Sequence, residues 1–306
     1  MWKKTTLIWL CFVGVAYGQY ERPGSTDAQF LKIGVSARAA GMGDAYIAVV
    51  DGAEAVYYNP AALAWIEGTS VAFTHLRWFA GINHEFAAVA HTFGRHGTFA
   101  LSATSLYTDE LKVRTPLQPD GTGETFYAGN VRVGLSYARY LTDRVTFGGS
   151  LNYIRMSLYH TFAAEAWAAD ISVLYVTHYR GFRFAMKMAN FGTEVKFVNE
   201  SYPLPAQFSF GMAINAVESE QQKLVASLSA VKPNDGRPLA QIGTEWAYRG
   251  LFFLRAGYHL NHEVAQYAFG SGVRLSLAGY AFRFDYGYSD FSLLGAAHRL
   301  SLGLDF

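Results

Sequence analysis

Three short motifs contain residue types that could do chemistry. Residues 259–263 place two histidines and a glutamate close together, but the first histidine falls in a predicted strand and the second in a predicted loop, so no helix presents them to a metal ion. Residues 41–43 read Gly-x-Gly, but Tyr46 replaces the third glycine of a dinucleotide-binding motif. His298 could act as the base of a serine hydrolase, but the sequence contains no Gly-x-Ser-x-Gly motif to supply the nucleophile. The sequence therefore predicts a protein that is not an enzyme, without cofactor or metal.

The composition narrows the class of protein. Of the 306 residues, 51% are hydrophobic, 16% are aromatic and 16% are charged, whereas soluble domains carry about 25% charged residues. The formal net charge of +1 gives no basic field for nucleic acid. After residue 19 no apolar run approaches the roughly 20 residues of a membrane-spanning helix. Together with 30 glycines, these values predict a β-rich protein with an apolar surface.

The clearest strand pattern covers residues 280–288. Its odd and even positions separate five aromatic side chains from a face of Ala281, Arg283, Asp285 and Gly287. An aromatic face opposite a small and charged face is typical of a barrel wall that contacts lipid outside and a polar lumen inside. Similar alternation in other segments of the chain predicts an all-β fold, a transmembrane antiparallel β-barrel of about 14 strands. The pattern also allows a count of twelve or sixteen strands.

The predicted strands and their connections support this architecture. The segments are 69–78, 84–94, 97–108, 129–141, 144–158, 167–179, 181–191, 205–216, 223–232, 239–249, 251–260, 266–277, 279–288 and 297–306. Connections after even-numbered strands are tight, while those after odd-numbered strands are mostly longer, and the longest covers residues 109–128. Short turns at one end and long loops at the other are typical of outer-membrane barrels.

The alternation also predicts which charges face the lumen. They are Arg132, Asp170, Arg183, Lys187, Glu245, Arg249, Arg255, Arg274, Arg283 and Asp285. These charges either fill the lumen as mutually paired groups, because unpaired buried charges are costly, or form a polar passage or a docking surface. We expect Arg38, from the N-terminal part of the chain, to pair with Asp170, Glu245 or Asp285.

The N-terminus predicts export. Lys3 and Lys4 precede an apolar stretch, and Ala16-Tyr17-Gly18 resembles a signal-peptidase site, so residues 1–18 are a predicted signal peptide cleaved near Gly18-Gln19. The single cysteine, Cys11, lies within it. Residues 19–68 form a Gly/Ala-rich segment, and residues 69–306 form the barrel, as one domain. The terminal Phe306 is similar to the signal read by the barrel assembly machinery. We expect a barrel in the outer-membrane lipid, monomeric and without nucleic acid.

The Gly/Ala-rich segment carries a family resemblance. Phe30-Leu31, Gly34 through Arg38, Gly41-Met42-Gly43, Asp51 and Asn59-Pro60-Ala61 resemble the N-terminal block of the PorV/PorQ family, a branch of the FadL-like outer-membrane barrels. The resemblance implies that this segment folds inside a fourteen-stranded barrel as a hatch. The hatch residues it implies are Arg38, Gly41, Gly43, Asp51, Asn59, Pro60 and Ala61.

Two functions follow from the resemblance. A PorV/PorQ protein is expected to serve type IX protein secretion, binding secretion-system proteins or their cargo through its extracellular loops, chiefly 109–128. A FadL-like protein is expected to be a passive channel for hydrophobic small molecules, with the hatch gating the route. The first is the preferred expectation from sequence, and the second is the alternative.

Overall fold

The computed structural model describes residues 22–159, 162–262 and 264–306, so the predicted signal peptide lies outside the described residues. Within them, fourteen antiparallel strands close a barrel in which each strand pairs with its neighbours in sequence and the last pairs with the first. This confirms the all-β, fourteen-stranded prediction. Among the described residues, no helix is long and apolar enough to cross a membrane.

The barrel strands follow the predicted segments closely. They are β1 Thr69–Arg77, β2 Ile82–Thr92, β3 Thr98–Thr108, β4 Gly129–Thr142, β5 Val145–Tyr159, β6 Phe162–Val176, β7 Arg183–Gly192, β8 Gln207–Glu218, β9 Gln222–Pro233, β10 Leu239–Tyr248, β11 Phe252–Leu260, β12 Tyr267–Leu277, β13 Tyr280–Asp290 and β14 Ala296–Asp305. The largest shift is in β6, which begins at Phe162 rather than at residue 167.

The facing of side chains follows the alternation. In β13, Phe284 points outward and is 48% exposed, whereas its neighbour Arg283 points inward and is 9% exposed. In β6 every second residue from Ala164 to Leu174 is buried. The outward positions carry large apolar side chains and the inward positions carry small or polar ones, because one face of the wall meets lipid and the other meets the hatch.

The two ends of the barrel differ in their connections. Turns of two to six residues join β2 to β3, β4 to β5 and each later even strand to the next, at the end where β1 begins and β14 finishes. The opposite end carries residues 109–128 and 193–206, each with a short two-stranded hairpin, Leu111–Lys112 with Thr125–Phe126 and Val195–Lys196 with Ser201–Tyr202. Because short turns are periplasmic in outer-membrane barrels, we call the end with the short turns the periplasmic end and the end with the long loops the extracellular end.

The N-terminal segment lies inside the barrel, as the resemblance to the PorV/PorQ block implies. It contains a 3₁₀ turn Gln29–Lys32, helix α1 Ala37–Gly41, helix α2 Ala55–Tyr58 and a 3₁₀ helix Pro60–Trp65. We call residues 22–33 the strap and residues 34–66 the hatch body. The strap contacts the extracellular loops, and the hatch body descends between the strands to Thr69 at the periplasmic end.

Small residues on the wall let the hatch body approach it closely. A methyl group added at Gly257 of β11 would lie 2.1 Å from the Gly43 nitrogen, and one added at Gly148 of β5 would lie 2.4 Å from the Ala61 nitrogen. Gly41 contacts Gly270 of β12 in the same way, with 2.7 Å between an added methyl group and the Gly270 Cα atom. The hatch body therefore packs backbone against backbone, which only glycine permits.

Candidate functional site

Four charged side chains of the wall form the first cluster. Glu245 of β10 accepts a hydrogen bond from Arg255 Nε of β11 at 2.6 Å. The same arginine donates from Nη1 to Asp285 of β13 at 2.7 Å, and Asp285 also lies 3.9 Å from Arg283 Nε. All four residues are buried. They come together because neighbouring antiparallel strands place Glu245 directly opposite Arg255, and an inward residue two positions along a strand remains on the same face.

Two hatch residues close this cluster into a ring. Arg38 donates from Nε and Nη2 to the two oxygens of Glu245, each at 2.7 Å, which is a bidentate pair. Its Nη1 donates to Asp51 at 2.8 Å, and Asp51 also accepts from Arg283 Nη1 at 2.6 Å. The charge ring is thus Arg38, Glu245, Arg255, Asp285, Arg283 and Asp51, with alternating signs and no net charge. Of the three acidic partners predicted for Arg38, Glu245 is the one it contacts.

The arginines decide the protonation of Asp51. Enclosure by the barrel acts to raise the pKa of this carboxyl, although half of its side chain still faces open space at the periplasmic mouth. The contacts with Arg38 and Arg283 outweigh that effect and hold the pKa of Asp51 well below its usual range. Asp51 therefore stays ionised, and it joins the hatch to β13 through charge-assisted hydrogen bonds.

Asn59 shapes the lower part of the hatch body. It is fully buried with φ −158° and ψ 91°, outside the helical region as expected for a residue before Pro60. Its side chain accepts from Ala61 N at 3.2 Å and donates to the Ile47 carbonyl at 3.0 Å. Ala61 N also donates to Ser172 Oγ of β6 at 2.8 Å. The Asn-Pro-Ala motif thus links two turns of the hatch to the wall.

A second charged cluster lies on the other side of the barrel. Asp170 of β6 is buried and contacts Arg132 of β4 at 3.2 Å and Lys187 of β7 at 3.8 Å. Both cations also lie over the ring of Tyr57 in the hatch, at 5.6 Å and 5.4 Å from its centroid, and Lys187 Nζ donates to the Tyr57 carbonyl. Two cations share one carboxylate here, so this cluster carries an excess positive charge.

These two cations line an interior pocket of 210 Å³ in the extracellular half of the barrel. Leu31, Ile47, Val231 and Leu239 form an apolar part of its lining. The polar part comes from both the hatch and the inward faces of several strands, and it comprises Lys32, Asp44, Tyr57, Tyr58, Arg132, Lys187, Asn190, Gln207, Ser209, Ser229, Gln241, His259 and His262. The pocket is therefore amphipathic.

The strap lies above the pocket and is held at one acidic residue. Asp235, in the loop between β9 and β10, accepts hydrogen bonds from Thr26 Oγ1 at 2.5 Å, Gln29 Nε2 at 2.9 Å and Lys32 Nζ at 2.6 Å. Burial acts to raise the pKa of Asp235, but the hydrogen bonds from the strap and the charge of Lys32 lower it to about 2. Leu31 and Lys32 of the strap reach the pocket lining.

The remaining predicted lumen charges lie at the periplasmic end. Arg183 donates to Asn215 Oδ1 at 3.2 Å, and Arg274 lies 3.7 Å from Asp305 with 46% of its side chain exposed. The prediction that Arg249 faces the lumen is wrong. Strand β10 ends at Tyr248, and Arg249 occupies an exposed turn position with φ 53°, which takes its side chain out of the inward alternation.

Sequence reasoning did not single out several residues of the pocket. Gln241 and Ser229 were available from the alternation, since each falls on the inward phase of its strand, whereas His259 was considered only as part of a metal site. Asp44 of the pocket and Asp235, which holds the strap, lie outside regular strands, where no periodicity identifies them. His259 and His262 have ring centroids 5.6 Å apart, and among the described residues, which exclude Glu263, no three His, Cys, Asp or Glu side chains could hold a metal ion together.

Solved structures with the same architecture include two toluene transporters. The Ralstonia pickettii toluene transporter TbuX superposes with a TM-score of 0.55 at 15% identity, over 89% of this chain and 97% of that one. The Pseudomonas putida toluene transporter TodX superposes with a TM-score of 0.56 at 11% identity, over 89% and 96%. The fold is that of the FadL-type outer-membrane barrels.

A third structure extends the likeness to a Pseudomonas aeruginosa FadL homologue, with a TM-score of 0.54 at 10% identity over 89% of this chain and 98% of that one. At these identities the likeness concerns the fold. No protein-family model matches the sequence, and no curated protein matches it. TbuX and TodX are toluene transporters, and CymD is a monoaromatic hydrocarbon channel.

Proposed function

We propose that this protein is a passive channel that admits small hydrophobic molecules through the outer membrane, past a hatch. The observation that carries the proposal is the combination of a FadL-type barrel with an interior pocket that the hatch itself helps to line. Toluene transporters share this barrel fold. A molecule leaving the pocket for the periplasm has to pass the hatch body, so movement of residues 34–66 controls passage.

The secretion-partner interpretation remains the second candidate. Its support is the resemblance of residues 28–64 to the PorV/PorQ block and the exposed loop 109–128, in which Leu117 is 93% exposed. The structural neighbours favour the channel. We therefore reverse the preference that the sequence alone suggested.

Three strains test the proposal: a full deletion, a loop variant lacking residues 114–121, and the wild type. The loop variant keeps the paired segments Leu111–Lys112 and Thr125–Phe126, so the barrel remains closed. Toluene uptake and the amount of secreted protein are measured in each strain. We expect the full deletion to slow toluene uptake, while secretion stays normal and the loop variant resembles wild type. Lost secretion with unchanged toluene uptake would establish the secretion function instead.

A further inference from the structure

The interior pocket contains polar atoms that the protein leaves without partners. Within the described residues, Gln241 Oε1, Ser229 Oγ and Arg132 Nε make no hydrogen bond, although these residues are only 5%, 3% and 5% exposed. Asp44 Oδ1 is also buried and makes no hydrogen bond among the described residues. All four residues line the pocket. Buried polar atoms are normally paired with protein, water or a ligand, so a cluster of unpaired ones in a cavity offers a polar ligand several hydrogen bonds.

The unpaired atoms are of two kinds. Gln241 Oε1 and Asp44 Oδ1 accept hydrogen bonds, so they require a donor on the ligand, such as a hydroxyl group. Arg132 Nε donates, and with Lys187 it belongs to the cluster whose two cations share only Asp170. That side of the pocket therefore suits an anion. A plain hydrocarbon such as toluene could pass through the pocket, but it would bind there weakly because it would leave both kinds of atom unpaired.

The size and the apolar lining restrict the rest of the ligand. A cavity of roughly 150 Å³ with apolar walls can hold benzene, and this pocket measures 210 Å³. It can accept one ring or a short chain with polar substituents, and it is too small for a long acyl chain. Leu31, Ile47 and Val231 supply contacts for that apolar body.

We propose that the pocket binds a short amphiphilic acid that also carries a hydroxyl group, with its carboxylate towards Arg132 and Lys187 and its hydroxyl towards Gln241 or Asp44. As a statement about the transported substrate, this rests on the proposed channel function. Binding to the purified barrel is measured without transport, so the binding proposal and the channel proposal can fail separately.

Four matched probes test the ligand class on the mature barrel in phosphatidylcholine nanodiscs, by isothermal titration calorimetry. 4-Hydroxybenzoate carries both groups, benzoate lacks the hydroxyl, 4-hydroxybenzyl alcohol lacks the anion and toluene lacks both. We expect 4-hydroxybenzoate to bind at least about tenfold more tightly than 4-hydroxybenzyl alcohol, because a charge-assisted hydrogen bond is lost. Benzoate should be weaker by a smaller factor. Toluene binding as tightly as 4-hydroxybenzoate, or no binding by any probe, would overturn the proposal.

Two variants assign the binding to this pocket. Lys187→Met removes one of the two cations, and Gln241→Leu removes an acceptor oxygen that has no partner to lose in the described structure. Each should weaken 4-hydroxybenzoate by about tenfold, and Gln241→Leu should leave benzoate affinity nearly unchanged. Lys223→Met, at a half-buried position outside the pocket, and Gln118→Leu, at an exposed position, are the controls. Wild-type affinity in both pocket variants would place the binding elsewhere and overturn the proposal.

The wild-type protein could bind 4-hydroxybenzoate as expected while the full-deletion strain takes up toluene normally. That result would contradict the channel function and support the binding site. Slowed toluene uptake on deletion, with no binding by the four probes, would do the reverse.

Discussion

The hatch meets the barrel wall at two levels, and the levels differ in how their polar groups are paired. In the lower level, the charge ring gives each of its carboxylates two arginine neighbours and has no net charge. In the upper level, Arg132 and Lys187 share one carboxylate, and four pocket atoms make no hydrogen bond within the described residues.

This difference indicates separate roles for the two levels. A buried ion pair often contributes little net stability relative to apolar residues, but removing one partner leaves a costly unpaired charge. The ring therefore fixes where the hatch body sits. The upper level lacks hydrogen-bond partners, which a bound ligand can provide. The strap covers this level.

The largest effect should come from breaking the ring at Glu245. Glu245→Gln leaves Arg38 and Arg255 without their shared carboxylate in a buried site, which should lower the free energy of unfolding by about 3 kcal/mol or more. Urea titration in lipid vesicles measures this change. Hydrogen exchange should rise in peptides from the hatch body.

Glu165→Gln is the matched control. Glu165 pairs with Arg155 at 3.8 Å on the outer surface with 56% of its side chain exposed, so its loss should cost at most about 1 kcal/mol. If the two substitutions gave equal losses, the charge ring would have no special part in positioning the hatch.

A smaller effect should follow from disturbing the close approach beside the ring. In Gly257→Ala, the new methyl group would lie 2.1 Å from Gly43 N and 2.2 Å from Met42 C. Both are backbone atoms, so they cannot rotate away as the end of a flexible side chain could. Overpacking of this kind typically costs about 1–3 kcal/mol. Calorimetry should show a lower melting temperature, and hydrogen exchange in the hatch body should rise.

Gly129→Ala provides the comparison, because its nearest atoms are 3.6 Å and 3.9 Å from the added methyl group. The same loss of stability in both variants would mean that the hatch does not press on the wall at Gly257.

Strand positions could be predicted because alternation is a local property. A wall with lipid on one side and a hatch on the other separates inward from outward residues at every second position, as β13 shows clearly. The start of β6 was missed since residues 162–166 are mostly alanine, whose small side chain suits either face. Arg249 was misplaced because alternation does not tell where a strand ends.

The candidate site was predictable only in part. Alternation identified Glu245, Arg255 and Asp285 as inward residues, but it could not tell which of them meet. That depends on strand register and on the path of the hatch, which joins Arg38 to Glu245 across 207 positions of sequence. The pocket was missed for the same reason, since its lining comes from the hatch and from several strands.

The smallest expected effect concerns the strap. The pKa of Asp235 in the folded protein is about 2, below the usual value of 3.8, so its ionised form stabilises the docked strap. That stabilisation is complete above the usual value and is lost as the pH falls from about 4 through about 2. Hydrogen exchange in residues 22–33 should therefore rise over this interval. Asp235→Asn should raise strap exchange at neutral pH and abolish the acid-dependent rise. A variant that kept the same acid-dependent rise would assign it to another group and would remove Asp235 as the anchor that distinguishes the upper level from the ring.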